Sequence, residues 1–138
     1  MKQWMVVVLV VIGLALGAGT QGVADNATDK IKAANMRAAQ DYYKSGLILA
    51  GEGREAEAVK AFRQALGIRP DWAEVHSLLG STLYRAGNYA EAEVELRKAI
   101  TLKPDYAEGW NFLGEFLKER GKEQEAQEAF KKARQYAR

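Results

Sequence analysis

The chain has 138 residues, 20 of them lysine or arginine and 18 aspartate or glutamate, with no cysteine. A net charge of +2 gives no electrostatic case for nucleic acid, whose affinity comes from neutralising many phosphates. The lack of cysteine excludes disulfides, thiolate metal sites and thiol nucleophiles.

The first 24 residues carry a basic start at Lys2, an almost wholly apolar stretch from Met5 to Leu16, and small residues thereafter. That is the layout of a secretory signal peptide, with Gly22-Val23-Ala24 as the cleavage site before Asp25. An uncleaved transmembrane anchor is the alternative. As a helix, Trp4 to Ala24 spans about 31 Å, enough to cross a bilayer core. Gly13 and Gly17, with small residues beside them, would suit packing against another membrane helix. If the single basic residue stays inside, both readings place the rest of the chain outside the cytoplasm. It would be exported, and either released into the periplasm or held at the cytoplasmic membrane. Residues 25–38, "DNATDKIKAANMRA", are polar and alanine-rich, and serve as a linker or as a backward extension of the next helix.

From residue 39 the chain repeats itself. "RPDWAE" and "KPDYAE" stand 34 residues apart, and the agreement extends well beyond them. Gly46, Gly80 and Gly114 align, as do Gly53, Gly87 and Gly121, and Ala58, Ala92 and Ala126. Phe62, Leu96 and Phe130 align four residues further on. A fixed period of this size indicates stacked supersecondary units rather than one globular core. The spacing predicts helices over about 28–51, 54–68, 71–85, 88–102, 105–119 and 122–136, two to a unit. Asp71 with Glu74, and Asp105 with Glu108, have the spacing of capping boxes. Pro70 and Pro104 stop the helix before each. Gly53, Gly87 and Gly121 suit the left-handed residue that closes a helix.

Gly46, Gly80 and Gly114 fall inside predicted helices, where glycine costs about 1 kcal/mol relative to alanine. Such a cost is understandable where two helices approach too closely for a side chain. Ala58, Ala92 and Ala126 are the expected facing partners, with Phe62, Leu96 and Phe130 filling the space beside them.

These residues resemble the tetratricopeptide repeat family. Trp110, Leu113-Gly114, Leu117, Gly121, Ala126, Phe130 and Ala133 follow the family pattern, and Leu79-Gly80, Leu83, Gly87, Ala92, Leu96, Ala99 and Pro104 do so one unit earlier. The first unit departs, with Tyr42 and Ser45 where Trp and Leu are usual, and His76 takes the aromatic slot of the middle unit. The resemblance implies an all-α fold: a right-handed α-solenoid of three helix-turn-helix units over 39–72, 73–106 and 107–138, preceded by an N-terminal hydrophobic helix.

In that family the first helix of each pair lines a concave groove that holds a peptide or a helix of another protein. Carried onto this chain, the lining is Tyr43 and Leu47, then Ser77, Ser81, Tyr84 and Arg85, then Asn111, Glu115, Lys118 and Glu119. Some members grip a terminal carboxylate with Lys and Asn at the places held here by Tyr43/Leu47, Ser77/Ser81 and Asn111/Glu115, so that clamp is missing.

Chemistry finds little support. His76 is the only histidine, and its slot is a core one. There is no glycine-rich phosphate loop and no cluster of ligands at metal spacing, so no catalytic residue, metal or cofactor is expected. The sequence points to a non-enzymatic adaptor of the cell envelope, or to an anchored accessory subunit of a membrane complex. Phe130, Ala133 and Tyr136 on the last helix are expected to be partly uncovered, which would favour self-association.

Overall fold

The computed structural model describes the backbone of residues 2–137 and the side chains of residues 20–137. Among the described residues there are six helices and no strand: α1 (Lys2–Gly51), α2 (Glu55–Ile68), α3 (Ala73–Arg85), α4 (Tyr89–Leu102), α5 (Ala107–Glu119) and α6 (Glu123–Tyr136). The chain divides into two compact units, residues 1–36 and 37–138.

In the first unit, residues 20–36 are exposed, and Thr28 Oγ1 donates to the carbonyl of Ala24. The leader or anchor expected at Trp4–Ala24 falls mostly on residues 1–19, whose side chains lie outside those described. Among the described residues no helix is long and apolar enough to cross a membrane.

In the second unit the end of α1 pairs with α2, α3 with α4, and α5 with α6, and each pair packs on the next. The three hairpins are closed in one way. Gly53, Gly87 and Gly121 have φ of 74°, 83° and 74°, and they are the positive-φ residues among those described. The next residue's N–H then reaches back to the last turn: Arg54 to Leu49 O at 2.9 Å, Asn88 to Leu83 O at 2.9 Å, Lys122 to Leu117 O at 2.8 Å. Each bond satisfies a carbonyl that the helix end would leave bare.

The other turn departs from the expected one. α3 and α5 begin at Ala73 and Ala107, two residues later than the capping-box reading, and their caps are Trp72 and Tyr106 with no side-chain cap bond. Asp71 and Asp105 do not cap. Tyr106 N donates to Lys103 O at 3.1 Å, so Pro104-Asp105 forms the middle of a reverse turn, where proline's fixed φ is favourable. Arg69, before Pro70, is extended (φ −129°, ψ 81°), as steric conflict with the proline ring requires.

The interior glycines mark close approaches, but the facing partners are the large residues rather than the alanines. A Cβ on Gly46 would lie 2.6 Å from Phe62 Cε1, and one on Gly114 2.7 Å from Phe130 Cε1. On Gly80 it would lie 2.7 Å from Leu96 Cγ and 3.0 Å from the Ala92 carbonyl oxygen. Helical side chains lean toward the N-terminus, so Leu96 covers the turn above its own Cα, at the level of Ala92. The alanine admits that lean and brings its backbone close. Ala58, Ala92 and Ala126 are fully buried, as is Phe62, while Leu96 is 1% exposed.

Ring donors tie each proline turn to the helix that follows it. Trp110 Nε1 donates to Pro104 O at 2.8 Å, and one unit earlier His76 Nε2 lies 2.7 Å from Pro70 O. The histidine fills the aromatic slot, is 3% exposed, and sets its other nitrogen against Glu95 Oε2. It is a packed, hydrogen-bonded core residue.

Candidate functional site

Side chains at a given place in one unit meet the next unit at constant sequence offsets. Arg63 pairs with Glu91 and Arg97 with Glu125, each 28 residues on. At an offset of 29, Glu74 meets Lys103, Glu93 meets Lys122, and Ser77 meets Tyr106. Tyr43 and Trp72 hold the same relation, their rings 4.9 Å apart. The residue that opens each first helix therefore lies over the first-helix face of the unit before.

That cover rearranges the expected groove. Ser77 is fully buried: its hydroxyl donates to Glu74 O at 2.9 Å and lies 3.4 Å from the Tyr106 hydroxyl. It does not line a groove. Tyr43 packs against Trp72 with the rings tilted by 36°, and the Arg69 guanidinium lies 4.5 Å from the centre of that indole. Tyr106 is pushed up to about 12, first by burial and further by the Glu108 carboxylate, while the Ser77 contact opposes the shift. At the neighbouring rim, burial works to raise the Glu74 carboxyl. Lys103, 2.9 Å away, together with a backbone hydrogen bond and the charge of Arg69, outweighs it and leaves that carboxyl below its ordinary value.

One turn further along α3 the face opens. Ser81, Tyr84 and Arg85 of α3 join Glu115 and Glu119 of α5 around a cleft of about 290 Å³, with Phe112 and Phe116 on its walls and Leu96 below. Five of the ten expected residues meet there. Tyr84 and Phe116 make an edge-on contact, ring centres 5.7 Å apart. Arg85 is tethered at the rim, 3.1 Å from Glu55 Oε2 and 3.4 Å from Ala50 O, so its charge is largely compensated. Glu115 and Glu119 are exposed and have no ion pair or hydrogen bond among the described residues.

The remaining expected residues fall elsewhere. Asn111 lines a different cleft, of about 500 Å³, between α5 and α6 with Phe112, Phe130, Ala133 and Arg134. Leu47 is 39% exposed on α1, and Lys118 is exposed on α5 outside the cleft walls. Phe112, Phe116 and Glu55 were missed in the sequence. The signal for the first two was present: Phe112, Glu115, Phe116 and Glu119 follow the i, i+3, i+4, i+7 spacing of one helix face.

Among the described residues no group of His, Asp or Glu has the geometry to hold a metal ion. No buried side-chain polar atom among them lacks a partner. The cleft offers aromatic surface, the hydroxyls of Ser81 and Tyr84 and two uncompensated carboxylates, which are means of holding a ligand.

Comparison with known proteins agrees with this geometry. None of the curated proteins matches the chain significantly. Many solved structures share the fold, and three illustrate the likeness. MamA has a TM-score of 0.67 at 24% identity, over 74% of this chain and 60% of its own. The Sgt2 repeat domain from Aspergillus fumigatus gives 0.69 at 20% identity, over 72% of this chain and 66% of its own. The first repeat domain of Spaghetti (RPAP3), solved bound to the HSP90 peptide SRMEEVD, gives 0.69 at 18% identity, over 72% and 79%. This chain thus spans less than two thirds of the MamA chain it resembles. The family model described as tetratricopeptide repeat matches residues 49–115 and again 83–138, together more than half of the sequence. On its repeats, its turns and that match, the chain belongs to the tetratricopeptide repeat family.

Proposed function

We propose that this protein is a non-enzymatic adaptor that holds a segment of another protein in the cleft between α3 and α5. The observation that carries the proposal is the open cleft itself. Tyr84 and Phe112 leave ring surface facing solvent beside Ser81, Glu115 and Glu119, with Phe116 buried behind them, in a fold whose buried side-chain polar atoms, among the described residues, all have partners. The peptide held by Spaghetti supports protein segments as the class of ligand. Tyr43 is packed against Trp72 and Ser77 is covered, so the bound segment runs along the second half of α3 and across to α5.

The apolar stretch within Trp4–Ala24 favours a place in the cell envelope, exported or anchored there. If anchored, the same cleft would serve an accessory or assembly subunit of a membrane complex. The α5–α6 cleft, with Phe130 and Ala133 in its wall, supports pairing between copies as a second contact.

The test places a photocrosslinking side chain at Ser81, and at Lys98 on α4 as a control, in the full chain in its native cell. Crosslinks to a defined partner segment from Ser81, absent from Lys98, are expected. They should be lost in Tyr84→Ala with helix content unchanged. Equal crosslinking from both positions would overturn the cleft as the binding face. The mass of the mature N-terminus separates the two envelope readings: a start near Asp25 means release, an intact Met1 means anchoring.

A further inference from the structure

We infer that the segment held between α3 and α5 is cationic, with an arginine or lysine side chain entering the cleft; this rests on the cleft being the binding face. Three observations meet there. First, several carboxylates elsewhere in the repeats are paired across helices: Glu55 with Arg85, Glu74 with Lys103, Glu91 with Arg63, Glu125 with Arg97. Glu115 and Glu119 stand one turn apart on the cleft side of α5 with no such partner among the described residues. Second, the one cation in the cleft wall, Arg85, is held by Glu55 and the Ala50 carbonyl. The uncompensated charge of the walls is therefore negative, and a cationic ligand complements it.

Third, the rings have the geometry to take a cation. Among the described residues a cation is set against a ring three times: Arg69 over Trp72 and Arg120 over Tyr89, each at 4.5 Å, and Lys103 over Tyr106 at 5.3 Å. In the cleft, Tyr84 and Phe112 are half-buried rings, neither of which carries a cation among the described residues, and carboxylates stand at the rim where a guanidinium or ammonium would emerge. About 290 Å³ is the share of roughly ten water molecules, room for a long side chain but not for a helix. A planar guanidinium can stack on a ring and meet a carboxylate at once, so arginine is favoured over lysine. The peptide SRMEEVD held by Spaghetti is net acidic, with three acidic side chains against one arginine.

The test uses the full chain in a non-ionic detergent with fluorescein-labelled hexa-arginine, hexa-glutamate and SRMEEVD, read by anisotropy. Hexa-arginine should bind saturably. Glu115→Gln with Glu119→Gln should weaken it about ten-fold or more, whereas Glu123→Gln with Glu128→Gln should change it less than about two-fold. Raising salt should weaken it further, and the two acidic peptides should bind at least about a hundred-fold more weakly. Equal losses from the two glutamine pairs would overturn the inference, because binding would then follow overall acidity. A photocrosslinker at Ser81 separates the two levels of reading. Crosslinks to SRMEEVD in preference to hexa-arginine would leave the cleft as a binding face and overturn its cationic ligand. Absence of crosslinks to any of the three peptides would overturn both.

Discussion

Gly80→Ala is the most informative single change, because two opposing effects of known sign meet at one atom. The added methyl lies 2.7 Å from Leu96 Cγ and 3.0 Å from both Leu96 Cδ2 and the Ala92 carbonyl oxygen. Cγ is a branch point and the carbonyl belongs to the backbone, so neither neighbour can turn aside about a terminal bond. Leu96 is 1% exposed, which leaves it no room to swing outward. Overpacking of this kind costs about 1–3 kcal/mol. Removing a glycine from a helix interior returns about 1 kcal/mol. The variant should be destabilised by up to about 2 kcal/mol in equilibrium urea unfolding followed by circular dichroism.

The decisive measurement is the cycle with Leu96→Ala, which deletes two of the three atoms the methyl strikes. Leu96→Ala alone should cost about 2–5 kcal/mol through lost burial and a cavity. In that background Gly80→Ala meets only the Ala92 oxygen and should become neutral or stabilising, by up to about 1 kcal/mol. A coupling of about 1–3 kcal/mol follows, well above the few tenths seen between independent sites. If Gly80→Ala raises stability equally in both backgrounds, the glycine is not there for close packing and the account of the hairpin fails.

Other changes test other parts of the fold. Gly87→Ala should cost about 1–2 kcal/mol, because φ of 83° is strained for any Cβ while nothing lies within 4 Å of one there; Gly87→Asn should cost less, and equal costs would refute the reason. His76→Ala should cost more than about 2 kcal/mol, since it removes a buried ring and leaves Glu95 and the Pro70 carbonyl without their partner, whereas His76→Trp should recover part of the loss if its indole N–H reaches that carbonyl as Trp110 reaches Pro104. Glu93 is held below its ordinary value by Arg97, against the effect of burial and with help from Lys122. Its folded value is therefore the lower one, so its stabilisation is full above the ordinary carboxylate range near pH 4 and is lost as pH falls through the folded value. The melting temperature of Glu93→Gln should accordingly depend less on pH in acid than that of the parent, and parallel curves would remove Glu93 from the acid response.

Helix positions were legible because the residues that end helices act locally. Gly53, Gly87 and Gly121 state their φ by identity, and Pro70 and Pro104 forbid continuation, so the predicted boundaries lie within two residues of α2 through α6. Asp71 misled for a local reason as well. A Pro-Asp pair serves equally as the middle of a turn or as the approach to a cap, and the choice is made by where Trp72 must go. The direction of close packing was not legible. Gly80 announces that something comes near, but only the lean of Leu96 along its helix says what.

The cleft was half legible for a similar reason. Sequence places Ser77, Ser81, Tyr84 and Arg85 along α3, yet cannot say which of them the next unit covers. Trp72 and Tyr106 decide it, since each opens a helix and sets its ring on the residue 29 positions earlier, Tyr43 and Ser77. The same phrases, "RPDWAE" and "KPDYAE", therefore end one helix, supply the carbonyl that anchors His76 or Trp110, and close one position of the preceding face. Because that position is closed, the open surface begins a turn later at Ser81, where Glu115 and Glu119 of the neighbouring helix face it with their charges uncompensated. The repeat that builds the stack thus also fixes where along it a partner can be held.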